Sequence, residues 1–239
     1  MKNVFCFFLM LIIYFPISSA TDSLKTVVAP SGLKLRALPG IEGEVLAVLP
    51  HLAKVQVVFG DNYLPVQDEI NYFEGEWIYV QYEDLEGYVF DGLLSDLPMP
   101  TEHFEKTQFY LDLIYPLEAW MDFHLEAGME VDTFHSDLYS KLVYHFENGS
   151  RMEKKSTDLS YSIKVYLPMT KLSDTYYLLY NMLSTEEEIK AYTSNSLFIK
   201  DNTGRVSQIK LNLEDNIVLK EKDNGVEVSI TTKESSCVF

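Results

Sequence analysis

Short runs of alternating apolar and polar residues crowd the chain from residue 24 to residue 97. In Ser31-Gly32-Leu33-Lys34-Leu35-Arg36, a period of two puts Leu33 and Leu35 on one face and Lys34 and Arg36 on the other. That is the pattern of a half-buried strand, punctuated by Gly32 before it and Pro39-Gly40 after it. Similar runs lie at Thr26–Ala29, Val45–Leu49 (closed by Pro50), Lys54–Val58, Trp77–Tyr82 and Gly87–Phe90. Many short strands at tight spacing, separated by turn residues, predict a small barrel or sandwich. Between Phe59 and Glu76 the pattern breaks into a polar insertion that carries Tyr63, Tyr72 and Phe73.

The pattern changes after Pro98-Met99-Pro100, which suits a stiff linker because each proline disfavours helix in the residue before it. Thr101 to Ile114 has a helical stripe through Phe104, Gln108, Leu111 and Tyr115, and Pro116 ends it or starts a second short helix through Trp120 and Phe123. From Leu138 the strand period returns. Leu138–Phe146 and Arg151–Lys155 flank Glu147-Asn148-Gly149-Ser150, and Asn-Gly between such runs is a strong hairpin signal. Ser160–Leu167 puts Tyr161, Ile163, Val165 and Leu167 on one face. Ser173 or Asp174 can cap a helix with the stripe Tyr176, Leu179, Tyr180 and Leu183. Thr185 and Glu188 form a capping-box pattern for a short helix that runs to Tyr192. Strands are predicted at Ser196–Lys200, Arg205–Leu213, Asn216–Lys222 and Val226–Thr232.

The order of signals in the first part resembles the bacterial SH3 (SH3b) domain family over residues 24–97. The matches are Ser31-Gly32-Leu33-Lys34-Leu35-Arg36, Pro39-Gly40, Val45 to Pro50, Trp77 to Val80, and Gly87-Tyr88-Val89 with Leu93-Leu94. Lys34 and Tyr88 depart from the usual Asn and Trp, and the Phe59–Glu76 loop is long for the family. The fold class expected is therefore an all-β small SH3-like barrel followed by an α+β domain with an antiparallel sheet and one or two helices. The parts are a signal peptide over 1–20, the barrel over 24–97, a linker or helical connection over 98–125, and a domain without a recognised family over 126–239.

Alternation in Trp77-Ile78-Tyr79-Val80 sends Ile78 and Val80 to the core and Trp77 and Tyr79 to the other face. Val89 as the core residue of its strand turns Tyr88 and Phe90 outward. A small barrel holds few large rings, so some of these aromatics belong on the surface. Trp77, Tyr79 and Tyr88 are the candidate ligand-binding residues, because exposed flat rings suit peptides and sugars at low entropy cost. For Trp77 and Tyr79 the equal alternative is packing against the long loop or the second domain; for Tyr63, Tyr72 and Phe73 packing is the favoured reading. Arg36 is read as an outward strand residue paired with a nearby acid.

Composition narrows the partners. The formal net charge is -17 and the pI about 4.6, which argues against nucleic acid and anionic membrane surfaces. Residues 24–97 alone carry -8, so charge by itself would not hold them to anionic wall polymers. Lys2, the apolar run Val4–Ile17 and Ser18-Ser19-Ala20 have the form of a secretory signal cut after Ala20, with an uncleaved anchor helix as the competing reading, which the short apolar run and Pro16 disfavour. Cleavage removes Cys6 and leaves Cys237, which has no internal disulfide partner, and no other segment is long and apolar enough to cross a membrane.

Catalytic signals are lacking. There is no Gly-x-Ser-x-Gly, no His-Glu-x-x-His and no P-loop. Asp122-Phe123-His124-Leu125-Glu126 on a strand edge, or Asp132, His135 and Asp137, offer ligand-type atoms, but scattered solvated side chains account for them. Glu186-Glu187-Glu188 suits a helix N-terminus. Asn148-Gly149-Ser150 fits a glycosylation acceptor, and the turn explains the same residues. No catalytic residue, metal or cofactor is assigned. The expectation is an exported, non-enzymatic protein of the periplasm or extracellular envelope that binds a cell-wall peptide or a protein segment. The alternatives are an envelope adaptor without wall affinity, or an enzyme whose site lies in the second domain.

Overall fold

The computed structural model describes residues 23–58, 66–100, 113–125, 130–136, 138–213 and 215–232. The signal segment, Tyr63, Phe104, Gln108, Leu111, Glu126, Asp137 and Cys237 lie outside the described residues. The strands of the first part are β1 (Leu24–Val27), β2 (Leu33–Arg36), β3 (Val45–Leu49), β4 (Lys54–Val57), β5 (Val66–Ile70), β6 (Phe73–Tyr82), β7 (Leu85–Phe90) and β8 (Leu94–Ser95), with a 3-10 turn at Asp91–Leu93. They form one antiparallel sheet in the order β3-β2-β7-β6-β4-β1-β8, with β5 added alongside β6. In β2, Leu33 and Leu35 are buried and Lys34 is exposed, as the alternation predicts.

The second part runs α1 (Ile114–His124), β9 (Glu130–His135), β10 (Ser140–His145), β11 (Arg151–Ser156), β12 (Tyr161–Pro168), α2 (Leu172–Tyr180), α3 (Glu186–Ser194), β13 (Ser196–Lys200), β14 (Val206–Asn212), β15 (Asn216–Lys222) and β16 (Gly225–Thr231). Its sheet also has eight strands, in the order β13-β14-β15-β16-β12-β11-β10-β9. Two antiparallel meanders thus meet where β16 pairs with β12, and α2 and α3 form the crossing between them. Among the described residues the architecture is two antiparallel sheets with three helices.

Local chemistry explains several element ends. Gly149, at φ +83°, closes the β10–β11 hairpin, and Asn148 Oδ1 accepts the Ser150 N–H at 3.0 Å. Thr185 and Glu188 cap α3 reciprocally: Thr185 Oγ1 accepts the Glu188 N–H at 3.2 Å and Glu188 Oε2 accepts the Thr185 N–H at 3.1 Å. Pro116 does not interrupt α1, because it sits in the first turn, where its missing N–H is not needed. Residues 122–124 are therefore helical and do not form a strand edge. Neither Ser173 nor Asp174 is the N-cap of α2. Lys171 holds that position, and the Asp174 carboxylate reaches back to accept its N–H at 3.0 Å.

The polar insertion is a second correction. Its described part, with the start of β6, is a β5–β6 hairpin in which Ile70 pairs with Phe73 across the two-residue turn Asn71-Tyr72. Both turn residues are left-handed, at φ 53° and 71°, as a tight hairpin with the sheet's own twist requires. Tyrosine is an unusual occupant of such a turn. Its ring stacks on Phe198 of β13 at 4.7 Å between centroids and 19° between planes.

That hairpin ties the two sheets together. Phe73 is buried among Tyr176, Tyr177 and Phe198, at centroid distances of 5.6–5.8 Å. Glu69 pairs with Lys200 at 3.1 Å, and Glu74 lies 3.8 Å from Arg205. The Pro98–Pro100 segment is packed as well: Met99 and Pro100 are buried, and the Pro98 carbonyl accepts the indole N–H of Trp120 at 2.8 Å. One contiguous apolar core runs through both sheets. Helix α2 lies inside it, buried from Leu172 to Leu179.

Tyr72→Ala keeps the left-handed strain and loses the stack, and is expected to destabilise the fold by about 1–2 kcal/mol. Tyr72→Gly relieves the strain and should cost less; paired urea denaturation curves check the order. Asp174 gives a second expectation. Burial pushes its carboxyl up to about 6, against the lowering effect of the Lys171 N–H and the Ser95 hydroxyl. The folded state therefore holds a proton that the unfolded chain releases, so this group's contribution to stability falls as pH rises from about 4 to about 6. The loss is about 3 kcal/mol. In Asp174→Asn that contribution vanishes, so the stability of the variant relative to the parent should rise from pH 4 to pH 7, read by denaturation at each pH.

Candidate functional site

Strand register fixes which aromatics share a face. Trp77 pairs with Phe90, Tyr79 with Tyr88, and Tyr88 with Arg36, so these side chains lie on one face of the first sheet. Ile78 and Val89 pair on the other, with Val80. The alternation read from the sequence is therefore correct; of the two readings of Trp77 the structure shows the packed one, and Phe90, expected to turn outward, is buried as well. Trp77 is 2% exposed and Phe90 is 0%. Asp68 on β5 accepts the Trp77 indole N–H at 2.9 Å. Ile70 of β5 and Tyr177 of α2 border the same space as Trp77 and Phe90. The hairpin and the second part thus cover one end of the aromatic face. At the other end Tyr79 and Tyr88 are half-buried and meet edge to face at 5.0 Å. Tyr79 Oη donates to Glu86 at 3.1 Å, and desolvation together with that carboxylate raises the phenol's pKa.

A groove of about 290 Å³ opens beside Trp77. Gly32, Leu33, Ile70, Trp77, Phe90 and Tyr177 line it, and Pro30, Ser31, Lys34, Ile41 and Asn71 stand around it. Its wall needs glycine at position 32, where φ is +83° and a Cβ would lie 2.7 Å from the Leu49 carbonyl oxygen. Arg36 does not pair with an acid as the sequence suggested. Its Nη1 donates to the Gly43 carbonyl at 2.6 Å, and the guanidinium lies 5.8 Å from the Trp77 ring centroid. Its Nε is buried without a hydrogen-bond partner among the described residues. The groove is an apolar slot with a cation beside its indole wall.

A larger cleft, of about 660 Å³, lies between the hairpin tip and the start of α2. Tyr72, Glu74, Lys171, Arg205, Glu221 and Lys222 are among its lining residues. Its charges are largely internally matched. Arg205 contacts Glu221 at 2.5 Å, which holds the guanidinium pKa still higher, and Lys171 contacts Asp91. Ser173 and Ser207 line the cleft, and no histidine or cysteine is among its lining residues. The described histidines do not converge on one site. His145 Nε2 lies 3.4 Å from Asp132, both about half exposed, and no group of three potential metal ligands exists among the described residues. No helix among the described residues is long and apolar enough to cross a membrane.

No family model matches this chain, and neither does a curated protein or a solved structure. The reading of the site rests on its own geometry. Sequence reasoning missed Asp68, Ile70 and Tyr177, because their strand partner or helix comes from outside the local run. Phe90 was visible as Tyr88's alternate neighbour but was assigned to the surface.

Trp77→Ala is expected to cost about 3–5 kcal/mol of stability, as for other large buried rings, whereas Tyr79→Ala at the open end should cost no more than about 2 kcal/mol. Guanidinium denaturation of both variants checks the contrast.

Proposed function

We propose that this chain is an exported, non-enzymatic binding protein. Its first sheet is an SH3b-like barrel that takes a short peptide, from the cell wall or from another protein, in the groove beside Trp77. The observation that carries this reading is the groove itself: an apolar slot walled by Trp77, Phe90 and Leu33, with the exposed Ser31, Lys34 and Ile41 also among its lining residues. Concave apolar sites with a few polar groups at the edge are the usual geometry for anchoring one side chain of a ligand. Trp77 acts as a wall of the slot, and the half-buried pair Tyr79 and Tyr88 extends the contact surface along the same face. The acidity of the chain favours contact by shape and apolar burial over charge.

The test uses the whole chain from residue 21, because the two sheets share one core. Purified sacculi are sedimented with the parent protein and with Ser31→Trp and Ile41→Trp, which place bulk at the groove while keeping exposed positions exposed. Pelleting of the parent and its loss in both variants, with unchanged circular dichroism, supports a wall peptide as the ligand. If the parent stays in the supernatant, a photo-crosslinking residue at Ile41 tests for a protein segment. Absence of both pelleting and crosslinks rules the groove out as the binding site.

A further inference from the structure

The second sheet has two unlike faces. One is apolar and packs on the helices: Met152, Ile163, Val165, Leu167, Val226, Val228, Ile230, Ile217 and Leu219 are all at most 2% exposed. The register places the opposite face residue by residue. Glu153 pairs with Lys164, Lys164 with Ser229, Ser229 with Val218, and Val218 with Lys210, making one cross-strand row over β11, β12, β16, β15 and β14. Lys220 stands two residues along β15, opposite Gln208 and Glu227, and Lys155 lies on β11 opposite Ser162. Lys155, Lys164, Lys210 and Lys220 are exposed. None of the four is ion-paired among the described residues; Lys155 Nζ instead lies 4.6 Å from the Tyr139 ring centroid. Across β11, β12 and β14–β16 the acids on this face are Glu153 and Glu227, and Glu153 is already shared by Lys141 and Arg151.

We infer that this lysine-bearing face is a binding platform for a linear polyanion. Its charge is opposite in sign to that of the chain, which carries -17 overall. At physiological ionic strength charges are screened beyond about 8 Å, so a ligand lying on the face is governed by the lysines beneath it. Lys164 and Lys210 are three strand spacings apart, roughly 14 Å, and Ser162, Ser229 and Gln208 supply hydrogen-bonding groups between the cations. Between β11 and β14 the face has no exposed large apolar side chain; Tyr166 and Val218 on it are half-buried. A folded protein partner would want an aromatic or apolar centre and few lysines, whereas a flexible chain of anionic groups gains its affinity from counterion release over dispersed cations.

The test measures binding of fluorescently labelled long-chain polyphosphate to the whole chain by anisotropy, over a series of NaCl concentrations. Binding at low salt is expected, with log affinity falling against log salt at a slope of about -2 to -3, the value for three or four neutralised charges on a flexible chain. The combined variant Lys164→Glu, Lys210→Glu and Lys220→Glu should weaken binding by about tenfold or more. Lys190→Glu, an exposed charge reversal on α3, should leave it unchanged. Poly-L-glutamate in a parallel series separates phosphate recognition from general polyanion binding; binding of either polymer with the same variant response supports the platform. No binding of either at low salt, equal binding by the triple variant, or an equal loss in Lys190→Glu overturns it. Binding to vesicles containing anionic lipid, with neither polymer bound, overturns it in favour of a membrane surface.

Discussion

Phe73 is the residue on which the arrangement of the two sheets turns. It begins β6, the longest strand of the first sheet, and its ring is enclosed by Tyr176 and Tyr177 of α2 and by Phe198 of β13. An aromatic cluster of this kind buries large areas and also orients its members, since tilted and edge-to-face contacts are preferred over loose ones. Burying Phe73 requires the β5–β6 hairpin to reach across to the second part. The left-handed turn at Asn71-Tyr72 and the Tyr72–Phe198 stack then complete the join.

The candidate groove is a consequence of that join. Were the first sheet free, its aromatic face would be open along its length, from Trp77 and Phe90 to Tyr79 and Tyr88. Docking places Ile70 and Tyr177 beside one end of the face, buries Trp77, and leaves a slot between these groups and the Gly32 loop. On the far face of the second sheet Lys155, Lys164, Lys210 and Lys220 are exposed. Helices α1 and α2 occupy its apolar side, where Glu118 of α1 pairs with Lys154 at 3.0 Å and accepts the Tyr161 hydroxyl at 2.9 Å. Two surfaces of different chemistry result: an apolar slot at the junction and a lysine-bearing sheet face away from it.

The positions of the elements were largely legible in the sequence because their signals are local. Alternation located most strands in each part, Asn148-Gly149 located a hairpin, and Thr185 with Glu188 located the start of α3. The errors share a physical cause. The β5–β6 hairpin was hidden because Tyr72 fills a turn position that glycine would advertise, and its strain is offset by a contact with Phe198, over a hundred residues away. The α2 cap was misplaced because Asp174 acts from inside the first turn, back onto the Lys171 N–H.

Periodicity by itself determined that Trp77, Tyr79, Tyr88 and Phe90 point to one side of the sheet and that Ile78, Val80 and Val89 point to the other. It also determined the alternation that sets Lys164, Lys210 and Lys220 opposite the apolar face of their strands. Only the tertiary structure decided which of those sides meets water. A strand's period of two fixes a direction relative to its own backbone, whereas burial depends on what else arrives there. For Trp77 that was a hairpin and a helix from other parts of the chain; for the lysines, no helix or strand among the described residues.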